Sequence, residues 1–498
     1  MGVEVPMMVK SKESVTIGYT RNVITVLVIG LIAGLGFPLF LYTTRIYRAD
    51  LPVEEIYNYD MNEIDFKVPI LVDYEVDEEY LRSSFTRRYP EIKFWSLTFP
   101  EKVKGVGTET EAEAGAETEA EAGAETEADA GTAAGAAAGA ASAAAPGYTL
   151  HIHNDTSDKF TVCGKTIDIY TRSSNVDSYI SEVLFDNIFK SELDTLASIY
   201  KDEPINGVAI PYSETYNLVF SLFVANGKQI NWEIQKSLNE HFQPVLDILA
   251  DITEFRISTQ VQYYSQLSST TLQKNKTITQ DELKTFINFE DWNLVNLDIH
   301  PTINFLCYIP NEPLYIENSE SNSFLISQWG GVKILNRIPM MAKSTLGEKD
   351  LFQILNIFAN QLLQLIGIPH PSSSSSSSSS LEIQLDSLKR ILIYKNIKSS
   401  LSNLISLVKL SNSLNDITVP KETRDQVIKA LNYMNIAKLE KSVKISAMAM
   451  DNSNKAFFEK KMVQQAYFPS EHKLAVFLPL LGPIGSIVVF SLLRLVKG

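Results

Sequence analysis

Residues 22–44, NVITVLVIGLIAGLGFPLFLYTT, hold no charge between Arg21 and Arg45, and residues 474–493, LAVFLPLLGPIGSIVVFSLL, hold none between Lys473 and Arg494. A hydrocarbon core about 30 Å thick takes about 20 helical residues at a rise of about 1.5 Å each, so each stretch predicts one membrane-spanning helix. The first is longer than the apolar core of a cleaved leader, about 7–15 residues, and no small-residue cleavage site follows it, which predicts an uncleaved anchor. The fold class expected is therefore a membrane protein with one transmembrane helix at each end and its bulk, residues 45–473, on one side of the bilayer. Pro38, Pro479 and Pro483 interrupt the helices and need cover from neighbouring helices or a place near a membrane face. Gly30 and Gly34, like Gly482 and Ser486, have the small-xxx-small spacing of close helix packing, either between the two spans or onto partner helices.

Positive charge does not orient the spans. Lys10, Lys12 and Arg21 precede the first and Arg45 and Arg48 follow it, while Lys460, Lys461 and Lys473 precede the second and Arg494 and Lys497 follow it. Two glycosylation sequons, at Asn154 and Asn275, favour a luminal placement of the middle segment.

The middle segment can bury a core: 45% of the chain is hydrophobic and 10% aromatic. The net charge of −15 comes largely from residues 109–129, which hold nine acids and no base. The remainder is nearly balanced, and no basic footprint of a nucleic-acid binder is present. Residues 108–131 are three near-identical Thr/Glu/Ala/Gly octads and an Ala/Gly stretch runs on to Pro146; with no large apolar residue to bury, this predicts a solvated insertion, taken as 101–147. Nine serines, 372–380, follow Pro369 and Pro371 as a linker, 371–380.

Runs rich in β-branched and aromatic residues predict strands at 68–72, 92–97, 148–152, 160–170, 218–224, 255–264 and 303–309. Helical patterns at 78–89, 177–200 and 232–249 alternate with them, which indicates an α/β domain with a mixed sheet. From Leu351 onward the pattern is helical: an uncharged amphipathic stretch to Ile366, set on the sheet or on a partner, then 385–410, 421–436 and 439–468. The organisation expected is a tail 1–21, a span 22–44, an α/β domain 45–347, a helical region 348–473, a span 474–493 and a tail 494–498.

Catalytic signatures are sparse. The only cysteines, Cys163 and Cys307, could form one disulfide in an oxidising compartment or stay as two buried thiols. Either could serve as a nucleophile with His151, His153, His241, His300, His370 or His472 as base, yet no local signature surrounds them. Cys307 stands in the apolar run Phe305-Leu306-Cys307-Tyr308-Ile309, the setting of a structural thiol. His151 and His153, two apart on a strand, point to one face near Asp155 and Asp158 but lack an evident third ligand, so no metal and no cofactor is expected. There is no Asp-x-Asp, Gly-x-Ser-x-Gly, His-Glu-x-x-His or Walker loop, and a scaffolding role is favoured over a lone luminal enzyme acting on glycans or lipids, or a cargo receptor.

The segment Gly36-Phe37-Pro38-Leu39-Phe40-Leu41-Tyr42-Thr43-Thr44 and then Tyr47-Arg48-Ala49-Asp50-Leu51-Pro52 resembles the exit sequence of the PIG-S subunits of the glycosylphosphatidylinositol (GPI) transamidase. Leu306-Cys307-Tyr308-Ile309-Pro310, Pro313-Leu314-Tyr315-Ile316 and Phe324-Leu325-Ile326-Ser327-Gln328-Trp329-Gly330-Gly331 resemble that family's strands and its Gln-Trp-Gly-Gly turn. Gln328, Trp329, Gly330 and Gly331 read either as a structural turn or as a partner contact. The acidic octads and the serine run do not belong to the family pattern. The resemblance implies a non-catalytic subunit of an endoplasmic-reticulum complex that cleaves the C-terminal signal of a proprotein and transfers the new carbonyl to a GPI lipid. It further implies a caspase-like catalytic subunit, PIG-T, PIG-U and a metallopeptidase-like subunit as partners, contact with membrane lipid, a luminal bulk and cytosolic termini.

Overall fold

The computed structural model describes residues 12–36, 38–39, 42, 47–74, 76–100, 147–155, 157–172, 175–204, 210–265, 277–279, 300–336, 345–368, 379–413, 417–460, 462, 479, 482–483 and 485–493. Two units emerge: residues 61–394, and residues 1–60 together with 395–498.

The first unit contains two five-stranded sheets. In the first, β1 (Phe66–Val72), β2 (Trp95–Thr98), β3 (Tyr148–Asn154), β4 (Lys159–Cys163) and β5 (Thr166–Thr171) lie in the order β2-β1-β3-β5-β4. All neighbours are parallel except the β4–β5 pair, an antiparallel hairpin whose turn starts at Gly164 with φ +57°, where a side chain would be strained. Helices α1 (Glu78–Arg88), α2 (Val176–Glu182) and α3 (Lys190–Tyr200) accompany this sheet, α2 and α3 being joined by a π-helical turn, Val183–Ile188. Asp77 caps α1 by accepting from the Tyr80 N–H at 3.0 Å. Burial alternates along β1, where Phe66, Val68 and Ile70 are buried, and along β5, where Ile167 and Ile169 are.

The second sheet is built from β6 (Thr215–Val224), β7 (Glu254–Tyr263), β8 (Thr302–Ile309), β9 (Ser323–Ile326) and β10 (Gly330–Ile334), in the order β9-β10-β8-β6-β7. Read from the other edge this is second, first, third, fifth, fourth, the order of the first sheet. The pairings repeat as well, parallel throughout except for the final antiparallel pair. Each half also follows one sequence of elements: strand, helical segment (α1 in one, residues 234–249 in the other), strand, long connection, three strands, helix. The insertion at 101–146 thus occupies the connection between the second and third strands of its half.

Every residue of β6 is buried, as are all of β8 except Thr302, because both faces of these central parallel strands are covered. One cover is α4 (Glu348–Ile366), whose Phe358 lies 5.1 Å from Phe305 between ring centroids, with Phe220 and Phe242 completing the aromatic layer. The amphipathic stretch from Leu351 is therefore a sheet-packed helix of this unit. The unit boundary falls at 394/395, inside α5 (Leu381–Ser413).

In the second unit the rest of α5 joins α6 (Lys421–Glu440) and α7 (Val443–Phe457). The expected single helix over 439–468 is interrupted where Lys441 adopts φ +52°, and Ser442 starts α7 by accepting from the Ile445 N–H. Asn396 binds Ser446 at 3.1 Å and Asn403 binds Asn454 at 2.7 Å, so polar contacts fix the α5–α7 register. The segment 47–51 docks here: Ala49 N–H donates to Val419 O at 2.9 Å, Val419 N–H donates to Tyr47 O at 3.1 Å, and the Arg48 guanidinium donates to the Ser411 hydroxyl at 2.6 Å. Residues 47–49 of the family-like exit sequence thus clamp onto the end of α5 and Val419 beyond it.

An N-terminal helix, Lys12–Leu31, continues as a π-helical turn, Ile32–Gly36, and residues 485–493 are helical. Among the described residues no helix is long and apolar enough to cross a membrane. Part of each expected span, including 43–44 and 474–478, lies outside the described residues.

Candidate functional site

The Gln-Trp-Gly-Gly sequence forms the turn from β9 into β10. Gln328 sits at φ +62°, and the Trp329 N–H donates back to Ile326 O at 3.2 Å. The indole, 8% exposed, lies in a cluster with Phe223, Leu306, Tyr308, Ile316 and Val332. Trp329 O accepts from the Asn304 N–H at 2.9 Å, which locks the turn to β8. Gly330 adopts φ +149°, and a Cβ there would fall 1.8 Å from the Asn304 carbonyl oxygen. At Gly331 a Cβ would fall 1.9 Å from Gln361 Oε1, on a side chain held by its donation to Phe324 O at 3.0 Å. Close approach thus excludes a side chain at Gly330, where the neighbour is the backbone of β8, and crowds one at Gly331, where the neighbour is the end of the Gln361 side chain of α4. In the structure these four residues form a turn packed on β8 and α4.

The two cysteines lie in different sheets, whereas the rings of His151 and His153 are neighbours on β3, 6.4 Å apart between centroids. Cys163 and Cys307 are not joined in a disulfide; the first is exposed at the end of β4 and the second fully buried in β8. His151 pairs with Asp73, and His153 lies 3.4 Å from Asp168 and stacks on Tyr170 at 4.8 Å. Each histidine thus has its own carboxylate. Asn154 is exposed at the end of β3, whereas Asn275 lies outside the described residues. Gly30, Gly34 and Gly482 have open space where a side chain would stand, and the Ser486 hydroxyl donates to Pro483 O at 2.7 Å.

Two clusters escape sequence reading. Glu240, His241 and Glu348 bring one potential ligand atom each within 4.8 Å, but Lys236 lies 3.7 Å from Glu240 and 3.9 Å from Glu348, so a cation of the chain already stands between these carboxylates. The other is a buried ion pair in which Arg390 of α5 grips Glu192 of α3 in two-pronged fashion, at 2.6 and 2.7 Å. Trp95 Nε1 donates to the same carboxylate at 3.0 Å, and Tyr148 donates to Asp386 at 3.1 Å. Burial alone would lower the Arg390 pKa, but Glu192 and Tyr148 outweigh it and hold the group above its usual range. Burial likewise pushes the Tyr148 hydroxyl up to about 12, against the pull of Arg390. No local pattern links residues so far apart in the chain; the sequence signal is confined to Arg390 following Asp386 and Ser387 by one turn of α5.

The model of the PIG-S family (phosphatidylinositol-glycan biosynthesis class S protein) matches residues 27–498. The GPI transamidase component GPI17 of Saccharomyces cerevisiae is 27% identical, over 93% of this chain and 89% of its own length. The GPI-anchor transamidase component PIGS of Rattus norvegicus is 23% identical over 93% and 92%, and the GPI transamidase component PIG-S homolog of Schizosaccharomyces pombe is 30% identical over 58% and 55%. With the match reaching from the first apolar segment through both sheets and the helical unit to the last residue, the chain belongs to the PIG-S family.

Proposed function

We propose that this chain is a non-catalytic subunit of the GPI transamidase complex, a framework held at the endoplasmic-reticulum membrane by an apolar helix at each end, with its bulk in the lumen and both termini in the cytosol. The observation that carries this reading is the family match over residues 27–498, with relatives named as transamidase components along nearly their whole length. The complex's catalytic cysteine belongs on this reading to a separate caspase-like subunit, with PIG-T, PIG-U and a metallopeptidase-like subunit as the further partners.

Two physical features support the membrane placement. Val23, Ile24, Val26, Leu27, Val28 and Leu31 are all exposed, and at 100° per residue they spread over more than half of the helix circumference, a pattern suited to lipid rather than water. Ile487, Val489, Phe490, Leu492 and Leu493 repeat it at the other end. The clamp of residues 47–49 on Val419 ties the exit of the first apolar segment to the helices that precede the second, so both anchors leave one unit and restrict its orientation.

Purification of the transamidase from cells lacking this chain tests the reading. The expected result is loss of the assembled complex and of GPI transfer; an intact, fully active enzyme would overturn it. Substituting His151, His153, Cys163 and Cys307 in turn is expected to leave transfer unchanged at normal abundance.

A further inference from the structure

Between α1 and the edge strand β2 lies a half-open groove of about 330 Å³, of the size that takes ligands or bulky side chains. Its walls are aromatic: Phe85 stacks on Trp95 at 5.2 Å, with Tyr89 and Phe185 at 5.9 and 5.5 Å from Phe85, and Phe99 at the strand end. The charged residues lining it are both basic, Arg82 and Lys93, and no carboxylate lines it. Both basic side chains are exposed, Arg82 making a loose surface pair with Glu78 at 3.5 Å.

Among the described residues β2 has a strand neighbour only on its β1 side. Phe94 O accepts from the Phe66 N–H at 2.8 Å, and backbone groups alternate along a parallel ladder, so Trp95 and Leu97 turn their N–H and C=O groups outward, beside the groove. An open backbone edge next to an apolar trough is the arrangement that accepts an added strand.

From this juxtaposition we infer that the groove docks an extended segment of another subunit of the complex, one that places bulky apolar side chains in the aromatic trough and carboxylates against Arg82 and Lys93. Charge complementarity selects the acidic flank, and the strand edge selects an extended peptide. The chain's own residues 101–146, which follow β2 directly, are acidic enough but hold no apolar side chain larger than alanine beyond Val103, Val106 and Pro146, too little to fill the trough. This inference rests on the subunit assignment and adds a surface to it.

The test uses the full-length chain carrying p-benzoylphenylalanine at Phe99 or Thr86, irradiated within the purified complex, with the cross-linked peptide mapped by mass spectrometry. The expected product joins this chain to one subunit, at a segment with large apolar residues beside Asp or Glu. The double reversal Arg82→Glu with Lys93→Glu, at exposed positions that spare the fold, lowers its yield by about fivefold. Changing the mapped carboxylates to lysine restores it. Absence of a cross-link in an intact complex, a cross-link confined to residues 101–146 or to lipid, or a yield indifferent to charge reversal would overturn the docking site alone. Failure of the other subunits to co-purify with the wild-type chain would instead overturn the subunit assignment.

Discussion

The two sheets of the α/β unit share strand order, strand direction and element sequence, and both bury apolar cores, yet the fastenings added to those cores differ. The first is fastened by polarity, through the Glu192–Arg390 pair with Trp95 donating to the same carboxylate, and it keeps an open groove beside its edge. The second is fastened by closeness: its central strands are buried on both faces, Phe358 of α4 packs on Phe305, which stacks on Phe220, and two glycines leave room for the close approach of strand and helix. One topology therefore tolerates two kinds of core, since the order of strands sets which elements meet and the side chains decide what holds them.

The largest expected effect comes from breaking the polar fastening. Glu192→Ala strands the Arg390 guanidinium in a buried site, and removal of one partner of such a pair costs about 3–5 kcal/mol, read as a lowered denaturation midpoint of the purified full-length chain. The double variant Glu192→Leu with Arg390→Met is expected to recover most of that loss, which would confirm that the stranded charge rather than lost packing is responsible.

Next comes the close fastening. Gly330→Ala sets a Cβ against backbone that cannot swing away and is expected to cost about 2–3 kcal/mol, with a smaller loss for Gly331→Ala, where Gln361 can yield. Thermal melting of the two variants side by side checks the order. If Gly331→Ala were the worse, the helix rather than the strand would set the tightness of this half.

A third comparison uses the first crossover helix of each half. Asp77→Ala removes the cap of α1 and is expected to cost about 1 kcal/mol, whereas Glu233→Ala, at a position with no side-chain cap bond, is expected to change the melting temperature little. The smallest effect is electrostatic. The bond from Lys201 at 2.5 Å, aided by a backbone hydrogen bond, holds the Glu91 carboxyl below its usual range. A depressed folded-state pKa contributes stability above the unfolded value of about 4.3 that is lost as pH falls through the folded value. Lys201→Ala should therefore flatten the acid limb of stability against pH, slightly, since the Lys201 side chain stands in solvent.

Much of this architecture is legible in the sequence. The runs at 218–224 and 303–309 predict strands, and the structure makes them buried central ones, since parallel central strands take apolar residues on both faces. The expected strand 160–170 is a hairpin: Gly164 and Lys165 form a two-residue turn between two β-branched runs, and a reading that joins the runs into one strand passes over it. The helix expected over 177–200 holds a π-helical turn, Val183–Ile188, whose extra residue shifts the apolar face without altering composition. The repeated topology is invisible for a different reason: it lies in pairings between distant segments, and the two halves meet it with different residues. The Gln-Trp-Gly-Gly turn is legible as a motif, but its purpose requires Asn304 and Gln361 in place.

Because β2 and β3 flank β1 on either side, the ends of their connection are held about 10 Å apart by a strand that belongs to neither. The span to be bridged is thus independent of how many residues bridge it, and closing a longer loop adds only about 0.6 kcal/mol per doubling. Expansion of the octads leaves the register untouched, and a fluorescent protein or affinity tag spliced between Glu109 and Ala145 would ride on the folded body as cargo.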